Sequence, residues 1–319
     1  MNGKMDGKMN EIIKKGLLVK TENLDLKKNH GIYIKIGIVS ETTGFLISRN
    51  NEATELTSEN IYGDERCLVP AQKWRAAERS YLLSELRKVN GIIPPEYSRN
   101  MNKSKAPLKN PTSLLFGDSS IGSGDNMGSI ASRSFYDWAY SFEPSGEIST
   151  RLTHNTLSED GTILHNSNGK TESNAIYSIP YIKPGVKFIR FISLENCSLE
   201  LLQLQLIAIL GTTRYGARTA ILGDNVANHI ISIGFSKGEK PISSYSILSK
   251  DWETSEYNPE NDVLQSMKES YGEDNILAGD ELTSFLKDTW DIKSSSESLI
   301  ALCETLNVKM ENDWQEFWK

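Results

Sequence analysis

Two arginines four residues apart, with a tyrosine beside the first, stand in the segment Gly211-Thr-Thr-Arg214-Tyr215-Gly216-Ala-Arg218. Among the side chains of this chain, these have the types and spacing best suited to chemistry. The planar guanidinium fork of arginine pairs with phosphate through parallel N–H donors. Tyrosine offers a ring face on which a base can stack. Gly211 and Gly216 let the backbone come close to a ligand and permit positive φ. The chemistry implied is the grip of a nucleic-acid strand, and the spacing matches neither the Walker nor the dinucleotide-binding fingerprint. A plainer role fits the same residues: a helix C-cap whose basic last turn complements the helix dipole. The surrounding elements must decide.

Those elements follow from hydrophobic period. Leu199–Leu210 is an apolar helix that runs into the loop, and His229–Phe235 is the strand that leaves it. A second cationic group begins at Arg66 and continues in a helix over Ala71–Val89. Its apolar positions Trp74, Ala77, Tyr81, Leu82 and Leu86 recur at helical spacing, and Lys73, Arg75, Arg79, Arg87 and Lys88 make a basic face. That face suits a polyanion, and it equally suits the solvated side of an amphipathic helix. Residues 31–48 read as two strands around a short polar connection. Residues 90–130 are rich in proline, serine, asparagine and glycine, carry Lys103, Lys105 and Lys109, and read as an insertion. Ser134–Phe142 is an aromatic strand that can pack in a core or present rings to bases. Gly146–Asn174 is polar and reads as a long projecting hairpin, or a partly mobile arm, bearing Arg151, His154 and His165. Ile182–Ser193 alternates around Lys187 and Arg190 as a strand. Strand–helix–strand occurring twice predicts an α+β fold with a ferredoxin-like, RNA-recognition-motif-like sheet. Residues 251–319, with Trp290, Trp314 and Trp318, read as a helical appendage.

Composition narrows the function classes. The net charge of −7 argues against a polyanion partner until it is divided along the chain. Residues 251–319 carry 17 acidic and 5 basic residues, whereas residues 1–250 carry 30 basic and 25 acidic ones. An acidic carboxyl-terminal region therefore hides a mildly basic body, which can bind a polyanion on one face. No run approaches the roughly 18 apolar residues of a membrane helix. The polar amino terminus lacks a signal-peptide core, so an intracellular, cytoplasmic protein is expected. Cys67, Cys197 and Cys303 lie far apart, without a CxxC pair, and His30, His154, His165 and His229 are dispersed. Reduced thiols, and neither a disulfide frame nor a metal site, are expected. No cofactor loop, nucleophile elbow or convincing carboxylate pair is present.

With these segments in order, the chain resembles the Csc-type backbone subunits of class 1 CRISPR effector complexes (Cascade), specifically those of subtype I-D. These belong to the repeat-associated (RAMP) superfamily, which has a modified RNA-recognition fold. The resemblance is carried by the opening strands, the basic helix after Arg66, and Leu114-Leu-Phe-Gly-Asp118 with Ser132-Arg133-Ser134. It continues through Thr150-Arg-Leu-Thr-His-Asn-Thr-Leu-Ser-Glu-Asp-Gly161, the loop 211–218 and Asn228–Gly238, so that it spans residues 30–240. It implies a core split into residues 1–90 and 181–250, an inserted lid at 91–145, a thumb hairpin at 146–180 and an acidic helical region at 251–319. It further implies a structural, non-enzymatic subunit that coats CRISPR RNA (crRNA) as a head-to-tail homo-oligomer. Such a subunit would present the guide for pairing with target DNA in antiviral defence and join other effector subunits. On that resemblance Arg66, Lys73, Arg75, Arg79, Arg214 and Arg218 hold phosphates, with Gly216 in the gripping loop, and Tyr215 shapes the loop or stacks. Arg133 touches RNA or incoming target, and Arg151, Leu152, His154 and Leu157 form the wedge and its support. Some family members carry a cysteine cluster, suggesting zinc, in the lid. Residues 94–113 contain no cysteine, so no zinc is expected and the lid must be held another way or be flexible.

Two rival readings stay in view. Related backbone subunits of RNA-targeting complexes cut the target strand with an acidic residue in a loop near the first strand, and Glu41 follows Ile36-Gly-Ile-Val-Ser40. The other rival is a single-stranded RNA-binding module that acts alone. The acidic carboxyl-terminal region either faces basic patches on a neighbour or keeps the free protein soluble.

Overall fold

The computed structural model describes residues 7–26, 31–48, 55–99, 104–120, 127–159, 161, 163, 165, 168–170, 176–248 and 258–318. Lys103, His30, Asp160, residues 121–126 of the glycine–serine loop and much of the arm's tip lie outside the described residues. In chain order the elements are α1 (Gly7–Lys14), β1 (Ile32–Thr42), β2 (Ser58–Ile61), β3 (Asp64–Val69), α2 (Ala71–Arg87), α3 (Pro111–Phe116), β4 (Asp118–Ser120) and β5 (Gly128–Ile130). They continue with β6 (Ser134–Tyr136), β7 (Ala139–Pro144), α4 (Ser145–Ile148), β8 (Ser149–Asn155), β9 (Ile176–Ile182), β10 (Lys187–Glu195), α5 (Leu199–Gly211) and α6 (Thr219–Leu222). The last are β11 (Val226–Lys237), α7 (Ser244–Leu248), α8 (Pro259–Tyr271), β12 (Ile276–Ala278), α9 (Gly279–Ser294) and α10 (Ser296–Phe317).

The main sheet runs β12-β11-β1-β10-β7-β3-β2, with β6 also pairing with β10, and these neighbours are antiparallel. Within β1-α2-β7-β10-α5-β11, the spatial order is β11-β1-β10-β7: fourth, first, third and second strand. The fold is therefore a mixed α+β arrangement about an antiparallel sheet. One sheet face, through Ile34, Ile36, Ile38, Ile192 and Leu194, packs against α2, α5, α9 and α10. The other face, through Val39, Ile189 and Phe191, packs against α7 and α8. Gly37 in the middle of β1 lets α8 lie close, since a Cβ there would stand 2.7 Å from a methyl of Val263.

Burial on both faces explains why β1 is apolar at most positions, with the one cation, Lys35, buried and donating to the carbonyls of Lys240 and Ile242. It also corrects the expected strand pair. Only one strand, Ile32–Thr42, occupies this region. Past it the Thr43 amide bonds to the Asn225 carbonyl, and the second predicted strand shrinks to a single bridge between Leu46 and Ile182. The predicted aromatic strand is broken as well. β6 and β7 flank Asp137-Trp138, where Asp137 turns inward to accept the Ser244 amide at 2.7 Å. The carboxyl-terminal region is no appendage. Phe285, Leu302, Leu306, Met310 and Trp314 join the same cluster as the sheet, and β12 extends the sheet's edge. The inserted segment is likewise partly core, because Leu108, Leu114, Leu115 and Phe116 are buried in that cluster.

The arm is a two-stranded hairpin, β8 paired with β9 from Ser149↔Ile182 to Asn155↔Ile176. Its base is anchored by Ile179 and Tyr181, which pack with Ile47 and are flanked by Phe45, Ala217 and Leu222. Leu152, opposite Ile179, is exposed, as are Leu157, Ile176 and Tyr177 farther out. Among the described residues no helix is long and apolar enough to cross a membrane.

Candidate nucleic-acid interface

The loop after α5 is built around one buried ring. Tyr215 is 1% exposed and stacks at a tilt on Trp74, with ring centroids 4.7 Å apart. Its hydroxyl donates to Glu78 Oε1 at 3.0 Å and accepts from Asn228 Nδ2 at 2.9 Å. Of the two roles expected for Tyr215, shaping the loop is the one its position allows, because a buried ring has no face to offer a base. Burial, and after it the Glu78 carboxylate, pushes the Tyr215 phenol well above its ordinary range, so it stays a donor.

Beneath the ring lies a buried ion pair, Arg190 to Glu78 at 2.7 Å, with both side chains 1% exposed or less. Arg190 donates to Ser40 Oγ and Asn228 Oδ1, both at 2.9 Å, and its guanidinium lies 4.4 Å from the Trp74 ring centroid. Glu78 also accepts from Tyr136 at 2.5 Å. Burial pulls the Arg190 guanidinium down, and the Glu78 carboxylate together with the Tyr215 and Tyr136 phenols outweighs it, so the group is raised and stays charged.

The loop backbone is held by a second asparagine. The Tyr215 amide donates to Asn225 Oδ1 at 2.9 Å, and Asn225 Nδ2 donates to the carbonyls of Tyr215 (3.0 Å) and Phe45 (3.1 Å). The Asn225 and Val226 amides both reach the Thr213 carbonyl. Gly216 has φ +82°, and a Cβ there would fall 2.5 Å from the Ile47 carbonyl oxygen, so a side chain is excluded on two counts. Gly211, expected to make the loop compliant, is instead the last residue of α5, and a Cβ there would collide with the Tyr81 ring.

From this fixed frame two arginines emerge. Arg214 is 64% exposed and its Nε donates to the equally exposed Asp224 at 2.9 Å. Arg218 is exposed in the left-handed backbone region, φ +57°, at the start of α6. Its guanidinium lies 5.3 Å from the ring centroid of Tyr177 on the arm. Tyr177 stacks with His154, its cross-strand partner, at 5.5 Å, and His154 bonds Tyr181 through Nε2 at 2.7 Å. Loop and arm therefore share one surface. Arg151 lies on the opposite face of the hairpin from His154, across from Pro180, and lines a cleft with Ser58, Glu65, Ser149 and Thr150.

The other expected cations are placed differently. Arg66 is buried, bonds the Phe142 carbonyl and pairs with Asp64 at 3.0 Å. Arg133 is buried and donates to the carbonyls of Leu114 (3.1 Å) and Asp25 (3.0 Å). On α2, Arg79 is buried and pairs with Asp118 at 2.5 Å, and it also donates to Tyr97. Arg75 bonds the Phe116 carbonyl, Arg87 bonds that of Tyr97 at 2.8 Å, and Lys73 is half-buried. The three arginines of the face expected to meet polyanion or solvent are thus directed at the inserted segment, whereas Lys88 is exposed and pairs with Glu85 at 2.6 Å. Tyr97 and Ser113 donate to the same Asp118 carboxylate, and Asn110 caps α3. This ionic cluster holds the insertion where a metal was not expected. Burial pushes all three cysteine thiols up to about 12. Among the described residues no group of histidine, cysteine and carboxylate side chains could hold a metal ion. Glu41 is in β1, with its Cα opposite Lys187 and Ala227, rather than in a loop.

Glu78, Arg190, Asn225, Asn228 and Tyr177 were not singled out from the sequence. Two of them carried a signal. Glu78 follows the apolar stripe of α2, and Arg190 interrupts Phe188-Ile-Arg-Phe-Ile192. Charges of opposite sign, each on an apolar face, mark a buried pair.

Searches among curated proteins find no match to this chain. Among solved structures, the crystal structure of Thermofilum pendens Csc2 superposes with a TM-score of 0.58 at 16% identity, covering 93% of this chain and 94% of that one. A chain of a CRISPR RNA-guided surveillance complex, pre-nicking, is 12% identical with a TM-score of 0.48, over 74% of this chain and 87% of that one. Another CRISPR RNA-guided surveillance complex chain is 13% identical with a TM-score of 0.47, over 74% and 84%. The family described as Csc2 Crispr matches residues 19–298. By that match, which covers most of its length, the chain belongs to the Csc2 CRISPR family.

Proposed function

We propose that this protein is the guide-binding backbone subunit of a type I-D CRISPR interference complex. Several copies coat crRNA head to tail, and the guide stays open for pairing with target DNA. The strand order β11-β1-β10-β7 supports a RAMP-type, RNA-recognition-like core, and membership of the Csc2 family supports the effector complex. The observation that carries the reading is the shared surface of loop and arm. Arg214 and Arg218 project from a backbone clamped on a buried tyrosine, beside an arm whose Leu152, Leu157, Ile176 and Tyr177 are exposed. Exposed guanidiniums suit phosphates, and exposed apolar and aromatic side chains suit splayed bases. Arg151 and His154 belong to the arm's contribution. Arg66, Arg75, Arg79 and Arg133 act by holding the scaffold, and Lys73, half-buried on α2, is at most a peripheral contributor.

The test is the mass of complexes formed with single-stranded RNAs of increasing length, for the wild type and for an Arg214→Ala, Arg218→Ala double variant. Stepwise addition of one subunit per fixed length, lost in the variant, is expected. One bound copy at every length would instead leave a stand-alone RNA-binding module. The nuclease reading predicts regular cuts in paired target RNA that Glu41→Ala abolishes, and the position of Glu41 within β1 does not favour it.

A further inference from the structure

Tyr215 sits between the two exposed arginines and is held from two sides, by one fully buried side chain and one half-buried one. One hold is on its backbone. Asn225, which is fully buried, accepts the Tyr215 amide and donates to the Tyr215 carbonyl, so a single side chain completes both hydrogen bonds of that residue as a strand neighbour would. The same amide group reaches the Phe45 carbonyl and ties the loop to the segment that bridges to β9. The other hold is on the hydroxyl. Asn228 Nδ2 donates to it at 2.9 Å and also contacts the carbonyls of Ile209 (2.8 Å) and Thr212 (3.0 Å), the end of α5 and the start of the loop. Asn228 in turn accepts from Ser40 at 2.7 Å and from Arg190 at 2.9 Å, so the core ion pair fixes its orientation.

We propose that Asn225 and Asn228 are positioning residues for RNA. They use Tyr215 as a peg, so that the backbone carrying Arg214 and Arg218 is already in its binding conformation before a strand arrives. This rests on the guide-binding reading above and assigns the residues that make its loop work. The physical consequence is specific. A loop ordered in advance loses little conformational entropy on binding, whereas a loosened loop reaches the same phosphates at a cost in affinity. Removing a positioning residue therefore weakens binding without changing the number of phosphates neutralised. Removing a contact residue lowers that number, and the dependence of log K on log salt falls by about 0.7 per phosphate on a single strand.

The full chain is titrated with single-stranded oligouridine over a range of salt, as wild type, Asn225→Ala and Tyr215→Phe, at a temperature where thermal melts show each to be folded. Amide hydrogen exchange of the loop is followed in the free proteins. For Asn225→Ala the expected result is an affinity loss on the order of tenfold with the wild-type salt slope, together with faster exchange of the Tyr215 amide. Tyr215→Phe keeps the ring on Trp74, loses only the hydroxyl, and is expected to weaken binding by roughly threefold with the same slope. It serves alone if Asn225→Ala does not fold. Unchanged affinity in a folded variant overturns the proposal, and so does a reduced slope, which would make the loss a lost contact. A wild type without salt-dependent binding removes the guide-binding reading itself and this inference with it.

Discussion

Two groups of arginines in this molecule carry the same side chain and differ in what their guanidiniums touch. Arg75, Arg79 and Arg87 lie on one side of α2 and spend their donors on the protein: on Phe116 and Tyr97 carbonyls, the Tyr97 hydroxyl and the Asp118 carboxylate. Arg214 and Arg218 stand in solvent, one beside an exposed aspartate and the other over an exposed tyrosine. A guanidinium is always charged and always carries five donors, so its role is set by what already occupies those donors. The first group shapes a scaffold, and the second is available to a polyanion. The contrast predicts that stability and RNA binding are separable, with different arginines governing each.

The sharpest break in the scaffold is Glu78→Gln. It strands Arg190 as an uncompensated charge in the core, beneath the loop, and breaking a buried pair from one side costs about 3–5 kcal/mol. A thermal or urea melt measures this, and a loss below about 1 kcal/mol would mean that the pair is not buried in solution. Arg79→Ala should cost less, about 2–3 kcal/mol, because Asp118 keeps Tyr97 and Ser113 as donors. Its expected signature is loosening of the 91–145 segment to protease while the salt slope of RNA binding stays at the wild-type value. The double variant Arg214→Ala, Arg218→Ala is the mirror image. Both side chains are exposed, so stability should stay within about 0.5 kcal/mol of wild type. The salt slope should fall by about 1.4, two phosphates' worth on a single strand. If Arg79 changed the slope, or the loop pair changed the melt, the division between scaffold and surface would fail.

Much of the scaffold was legible in the residues, because long periodic segments dictate their own elements. α2 begins at Ala71 as expected, α5 covers the expected Leu199–Leu210 and one residue more, and β11 contains the expected His229–Phe235. Period reveals which stripe is apolar, but not what lies opposite. That is why α9 and α10 could be seen as helices and not as walls of the main core, and why the cations of α2 could be seen as a face and not as a clasp on the insertion. β12, with three residues, is too short to carry a period at all. At the loop, the residue types drew attention to Tyr215 but left it open between two roles. Its burial depends on Trp74, Glu78 and Asn228, which arrive from two distant segments. Local spacing cannot encode such a meeting.

The smallest effect tests the exposed side of the comparison most finely. Asp224 accepts from Arg214 and from Thr213 through one oxygen, each at 2.9 Å, and it places a negative charge where a phosphate would approach. The Arg214 bond first, and then that of Thr213, holds its carboxyl below the usual range. A depressed carboxyl keeps its pairing at every pH above its ordinary value and loses it only as the pH falls through the lowered one, so Asp224 is ionised throughout the neutral range. Asp224→Asn preserves an acceptor for both donors and removes only the charge. Oligouridine affinity should therefore rise by roughly two- to fivefold at low salt, evenly between about pH 6 and 8, and the gain should fade as ionic strength screens the site. A loss of affinity would instead mean that the carboxylate orients Arg214 for the strand. Asp224 would then belong with Asn225 and Asn228 among the residues that position the loop, and the line between scaffold and surface would run between two adjacent atoms of one ion pair.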